Sequence, residues 1–251
     1  MFPTMEKRRE ARSRPAGSPV MYQTWRHLLF LHWEIEKALI QTSLPAGLEV
    51  DTHEDKAYIG IVPFFMEGVR PRCCPAVPGI SNFLEINLRT YVYHKETGLP
   101  GVWFYSLDAN QKLAVKVARS FFRLPYHFAE MKARIDDSSG KIQYASRRAT
   151  SPDVQLRYTY IQKGDSAMAE PGSLEFFLVE RYWLFSYNDK TNTLKCGQVH
   201  HHPYQISDVK VEEHDDRLFQ LNDFPTPNSG YTHQCYSSEA IVSIYPLVTI
   251  A

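Results

Sequence analysis

The sequence predicts a mainly β protein of α+β type, an antiparallel β-barrel or pair of packed sheets with two or three peripheral helices. Three observations carry this. Short runs rich in β-branched and aromatic residues recur along the chain, bounded by Gly, Pro, Asn or Asp. Helical spacing is confined to a few segments. Hydrophobic residues make up 43% of the 251 residues and aromatics 13%, enough for a packed core and too much for general disorder.

Residues 1–20 are rich in Arg, Ser, Pro and Gly and lack periodic apolar positions, so they read as a flexible basic tail. No aromatic residue interleaves its charges, as a nucleic-acid-binding arm would require. Residues 21–251 read as one domain. Between Tyr22 and Gln41, Trp25, Leu28, Leu29, His32, Trp33, Glu36 and Leu39 fall at helical spacing, and Pro45 and Gly47 end the segment. The period then changes. Strands are expected over Ala57–Phe65, Phe83–Tyr93 and Val102–Leu107, and a helix over Asn110–Phe122. After Pro125 come strands at Phe128–Ile135, Ile142–Ala149, Val154–Gln162, Tyr182–Tyr187, Thr193–His200, Ile206–Glu213 and Cys235–Tyr245. The segments Asp136–Lys141 and Asn188–Asn192 carry hairpin-turn chemistry.

Composition narrows the function classes. Lys plus Arg equals Asp plus Glu at 28 each, so no global charge points to nucleic acid or an anionic membrane. No apolar run approaches the roughly 20 residues that span a bilayer. No apolar signal segment directly follows the basic N-terminus. Cys73, Cys74, Cys196 and Cys235 form neither a zinc pattern nor a spaced disulfide framework. The expected setting is the reducing cytoplasm. Gly-rich phosphate loops and Gly-x-Ser-x-Gly elbows are absent.

Candidate chemistry falls in four places. In the Phe83–Tyr93 strand, Leu84, Ile86, Leu88 and Val92 share one side and Glu85, Asn87, Arg89 and Tyr91 the other. An outward surface strand and the inner wall of a barrel both fit that row. In a barrel, Arg89 can grip a carboxylate and Glu85 can act as acid or base. Pro125 stiffens a helix exit that leads to Tyr126 and His127, with Arg119 nearby. His127 fits a proton carrier, and the Tyr126–His127 pair equally fits packing at a barrel end. Glu180 and Arg181 follow a dense apolar run, where any buried charge must be paired. A structural ion pair and a ligand contact are the two readings. The run His200–Pro203 lacks a further ligand group at metal-site spacing, so no metal and no cofactor is expected.

These segments resemble the YqjF-like family. The matching pieces are Leu31-His-Trp33, Leu44-Pro-Ala-Gly47, Glu85-x-Asn-x-Arg-Thr-Tyr91, Gly101-Val-Trp-Phe-Tyr-Ser-Leu-Asp108, Ala118-Arg119 with Leu124-Pro-Tyr126, Glu180-Arg-Tyr182 and His200-His-His-Pro203. They keep their order from about residue 22 to the C-terminus. Tyr204 stands where the family pattern carries Trp. That family is similar to acetoacetate decarboxylase, which implies a barrel or cone of that type around an internal site. In that enzyme a Pro-Lys-Lys segment supplies a Schiff-base lysine. The counterpart here is Pro125-Tyr126-His127, which has no amine to condense with a carbonyl. The resemblance also places Glu85 at a catalytic-site glutamate.

The function expected is an internal pocket for a small organic acid or carbonyl compound. Glu85, Tyr126 and His127 are the catalytic candidates, for carbonyl-adjacent proton transfer without a Schiff base. Asn87, Arg89, Tyr91, Arg119, Glu180 and Arg181 are the ligand-binding candidates. A non-catalytic binding or sensing module and a structural or dimerisation protein are the rival readings. Neither nucleic acid nor membrane is an expected partner, and a homo-oligomer is compatible with the sequence.

Overall fold

The computed structural model describes residues 2–250; residues 1 and 251, the outer ends of the expected tail and domain, lie outside it. Strands and short helices alternate in an irregular order. Helix α1 (Met5–Glu10) precedes β1 (Met21–Ile35), α2 (Lys37–Thr42), β2 (Leu48–Val50), β3 (Ala57–Pro71), β4 (Phe83–His94) and β5 (Pro100–Ala109). Helix α3 (Lys112–Val117) runs into a π-helical turn at Ala118–Phe122. Then come β6 (Tyr126–Ile135), β7 (Ile142–Arg148), β8 (Gln155–Met168), α4 (Leu174–Val179), β9 (Trp183–Asn188), β10 (Thr193–His200), β11 (Gln205–Glu213), β12 (His233–Ile244) and β13 (Val248–Thr249). Among the described residues no helix is long and apolar enough to cross a membrane.

All strands belong to one 13-stranded sheet that branches at β5 and β12. The branches close it into two rings. One runs β1-β3-β4-β5-β9-β10-β12, and the other runs from β5 through β6, β7, β8 and β11 to β12. The strands β12, β1, β3, β4 and β5 form a wall common to both. The pairings are antiparallel except β5 with β6 and β5 with β9, which run parallel.

Each ring encloses its own core, and alternation along the shared wall feeds both. Leu28 and Phe30 of β1 pack in the first core, while Leu29, Leu31 and Trp33 pack in the second. On β3, Val62, Phe64 and Met66 face the first core, and Ile59 and Ile61 the second. Every residue of β4 is buried, so this strand has no solvent face at all. Its apolar row, Leu84, Ile86 and Leu88, belongs to the second core. Its polar row therefore points into the first ring.

Two expectations need correction. The helix expected over Tyr22–Gln41 is mostly strand β1, with helix only at Lys37–Thr42. Both faces of β1 are covered, so its residues Leu28–Trp33 form a continuous run without polar alternation, and periodicity cannot separate such a run from a buried helix. A bulge near His27, whose φ is 55°, disturbs the pattern further. The expected flexible tail instead carries α1 and lies against the body. Arg8 makes paired 2.7 Å hydrogen bonds to buried Asp51. Gln198 Nε2 donates to the carbonyls of Ala11 and Ser13 at 3.0 and 2.8 Å. Both partners lie far along the chain, out of reach of a local reading.

Candidate functional site

The first ring holds a cavity of about 280 Å³. Its wall is mostly aliphatic and aromatic, from β1, β3, β4, β5, α3, the π-helical turn, β9 and β10. Into it project Glu85, Asn87 and Arg89 from one face of β4. Tyr126 from the start of β6 and Arg181, just after α4, join them.

Glu85 is buried, and Tyr126 Oη donates to its Oε2 at 2.8 Å. Burial pushes its carboxyl up to about 7; the bonds from Tyr126 and Asn87 act against that rise, and Asp108 adds to it. Glu85 therefore exchanges its proton near neutrality. The Tyr126 hydroxyl is held well above its ordinary range, first by burial and then by the carboxylate beside it. Asn87 leaves its Oδ1 without a hydrogen-bond partner among the described residues.

Arg89 is held by ring faces and not by carboxylates. Its guanidinium lies 5.4 Å from the Phe30 ring centre and 5.8 Å from that of Tyr91. Nε and Nη2 are buried and have no hydrogen-bond acceptor among the described residues. Arg181 is a different case. Nη1 donates to Asp51 at 2.6 Å and Nε to the Phe177 carbonyl at 2.6 Å, leaving Nη2 free. Asp51 thus faces two arginines, Arg8 and Arg181. Burial acts to raise its pKa, but these two cations outweigh that and hold it below the usual range. The triad keeps one net positive charge.

Tyr91 shares the polar row of β4 yet does not line the cavity. Its hydroxyl hydrogen-bonds His32 Nε2 at 2.6 Å, and His32 Nδ1 meets His233 Nδ1 at 2.9 Å. Two facing ring nitrogens need one proton between them. When the hydroxyl of Tyr91 donates to His32 and His32 to His233, His233 Nε2 carries the proton that faces Glu175, 3.8 Å away. Gly60 makes room for this pair, since a Cβ there would lie 2.9 Å from His32 Cδ2 and 3.2 Å from Tyr91 Oη.

The other expected residues are placed elsewhere. His127 follows Tyr126 in a strand and so points away from the cavity, towards Arg148 and Arg119; burial, then those cations, lower its pKa to about 4. Arg119 is exposed in a groove outside the ring, near Arg123 and Trp103. Glu180 is a buried acceptor for the Tyr182 hydroxyl and the Tyr204 amide, with Arg12 at 3.7 Å. Glu180 and Arg181 do not pair with each other: adjacent side chains diverge, and their partners come from the N-terminal segment and Asp51. His201 lies in the segment after β10, is buried and stacks on Tyr182 with ring centres 4.6 Å apart. Sequence reasoning missed Gln23 and Trp25 of β1 and Tyr204, which also line the cavity. The helical reading of β1 hid the first two.

Comparison with known proteins agrees with this architecture. DUF2071, a family of uncharacterized conserved proteins, matches residues 22–240. The uncharacterized protein YqjF of Bacillus subtilis (strain 168) is 38% identical over 198 residues, 79% of each chain. Among solved structures, an acetoacetate decarboxylase from Legionella pneumophila superposes with a TM-score of 0.66 at 13% identity, covering 96% of this chain and 94% of that one. The enduracididine biosynthesis enzyme MppR, complexed with pyruvate, gives 0.64 at 11% identity, over 95% and 93%. At such identities these two share the fold. The length of the family match and the identity to YqjF place this chain in the DUF2071 family, on an acetoacetate decarboxylase-like fold.

Proposed function

We propose that the cavity of the first ring binds a small organic acid or carbonyl compound, with Arg89 as its anion partner and Glu85–Tyr126 as a proton-handling pair. The observation that carries this is Arg89: a buried guanidinium with two unpartnered N–H groups, aimed into an apolar cavity without a carboxylate of its own. Leaving a buried charge uncompensated is costly, and an anionic ligand removes that cost. The pyruvate in the MppR complex is in keeping with this ligand class.

The chemistry is proton transfer beside a carbonyl. Glu85, with a carboxyl near 7, takes or gives the proton, and the guanidinium stabilises developing negative charge. No lysine lines the cavity, so no side-chain amine is at hand for a Schiff base. Cys196 and Cys235 are buried free thiols, and with Cys73 and Cys74 they fit a reducing, cytoplasmic setting.

Thermal denaturation against a panel of keto acids, hydroxy acids and carbonyl compounds tests the reading. A ligand at a hundred times its Kd should stabilise the protein by about 2.7 kcal/mol. Arg89→Gln should weaken an acid by about 10- to 100-fold, the worth of a charged hydrogen-bonded contact. Glu85→Gln should retain binding and lose turnover. Binding without turnover of any bound compound would make the protein a sensing or carrier module, and silence across the panel would sink the proposal.

A further inference from the structure

The cavity is larger and less polar than a three-carbon acid requires. A dry apolar cavity of about 150 Å³ takes a benzene ring. At about 280 Å³ this one has nearly twice that room.

The polar groups are also unevenly spread. Strand β4 starts at Phe83, directly after the 72–82 loop, whose exposed Ile80 lies at the cavity rim with exposed Leu113 of α3. Gln111 Nε2 donates to the Gly79 carbonyl at 3.1 Å, tying that loop to the start of α3. The rim is therefore at the Phe83 end. Arg89 lies six residues further along β4, about 20 Å at strand rise, at the closed end with Arg181 and Tyr204. Between the two ends the lining is apolar, with Leu107 on β5 directly beside Asn87 and Ala114, Val117, Ala118 and Phe122 on α3 and the π-helical turn.

We infer that the ligand is a monocarboxylic acid bearing an apolar chain or ring, seated head-first, with its carboxylate on Arg89 and its tail running along β4 towards α3. This rests on the organic-acid reading above and narrows it. Charge accounting calls for an anionic ligand head: Arg89 has no ion-pair partner among the described residues, Arg8 and Arg181 share the single carboxylate of Asp51 and keep a net positive charge, and Glu85 is engaged with Tyr126. Burial on ring faces holds the Arg89 guanidinium in place while its Nε and Nη2 stay free for an acceptor. The tail gains only from leaving water, so tail length sets affinity and the head sets orientation.

The test is a titration of the full chain with straight-chain monocarboxylates from acetate to decanoate, beside the 1-alkanols of matching length. Trp25 and Trp183 line the cavity, so their fluorescence reports occupancy. Kd should fall about fourfold for each added methylene and level off once the cavity is full, at about six to ten carbons. The alkanols should bind at least tenfold more weakly. Arg89→Gln should erase the preference for acids and Arg89→Lys should retain part of it. Ala118→Phe should shorten the chain at which affinity levels. Melting curves of each variant identify any that fail to fold, and the chain-length series of the unaltered protein decides without them. Affinity independent of chain length would overturn the inference and leave the small-acid reading standing. Alkanols binding as tightly as acids would overturn the head-first placement. No binding by any acid, with a carbonyl compound hitting in the thermal panel, would overturn the inference and keep the carbonyl reading. Failure of both series would remove both.

Discussion

Glu85 carries the sharpest expectation at the scale of one residue. Its folded pKa is raised from 4.5 to about 7, so between these values the folded protein holds a proton that the unfolded chain has released. The stability this contributes is full below pH 4.5 and is lost as pH rises through 7. Glu85→Gln removes that dependence. Relative to the parent, the variant should gain stability progressively between pH 4.5 and 7 and level off above, by up to about 3 kcal/mol. Denaturant titrations of both proteins at pH 5 and pH 8 check it. A pH-independent difference would mean that Glu85 is not desolvated. Part of the site was legible at this scale. The row Glu85, Asn87 and Arg89 was visible because period-2 alternation sorts side chains by face. The same rule separates Tyr126 from His127, neighbours in extended chain that cannot both enter one cavity, whereas Glu180 and Arg181 part at a tight turn in which the Arg181 amide donates to the Val179 carbonyl.

Among the elements, α1 depends on contacts that composition does not reveal. Its six residues are too few to be stable alone in water. The Arg8 fork on Asp51 holds it, and that fork also sets the charge balance around Arg181. Arg8→Ala should cost about 2–4 kcal/mol, because it takes one of two cations from a buried carboxylate. Guanidinium unfolding measures this, and a loss below about 0.5 kcal/mol would mean that α1 is not held against the body. Most strands were legible within one to three residues at each end, including Thr193–His200 and the Asp136–Lys141 turn, where Gly140 has φ of 68°. Strands β3 and β8 are exceptions, each running six residues further than expected, to Pro71 and, as a long exposed extension, to Met168. Strand β1 was not legible, since a strand buried on both faces loses the alternation that marks strands. A tail whose partners lie 43 and about 190 residues away, as Asp51 and Gln198 do, loses its signal for the same kind of reason. Tertiary context decides both.

Across the whole molecule, histidines dominate the pH response. His27, His32, His127, His200, His201 and His233 all have pKa values lowered, each chiefly by burial. A lowered histidine is neutral in the folded protein at pH values where the unfolded chain is protonated, so stability falls as pH drops below 6.5. His201, lowered to about 4 and almost fully buried, accounts for roughly 3 kcal/mol between pH 6.5 and 4. Glu85 and Asp108, both raised chiefly by burial, act in the opposite direction over part of this range, but the lowered histidines outnumber them. Thermal unfolding should therefore show Tm dropping steeply from pH 6.5 to 4, and His201→Gln should flatten the fall. A flat profile over that range would contradict the burial of these rings.

The wall that serves both rings has a consequence for how this fold changes over time. Along β4 each cavity-facing residue is flanked by residues committed to the other core: Leu84 and Ile86 beside Glu85, Ile86 and Leu88 beside Asn87. Cavity chemistry and folding are thus written on alternate letters of one word. The lining can drift at Glu85, Asn87 or Arg89 while the intervening letters keep the strand in register. A lineage on this architecture can re-line its cavity without passing through an unfolded ancestor.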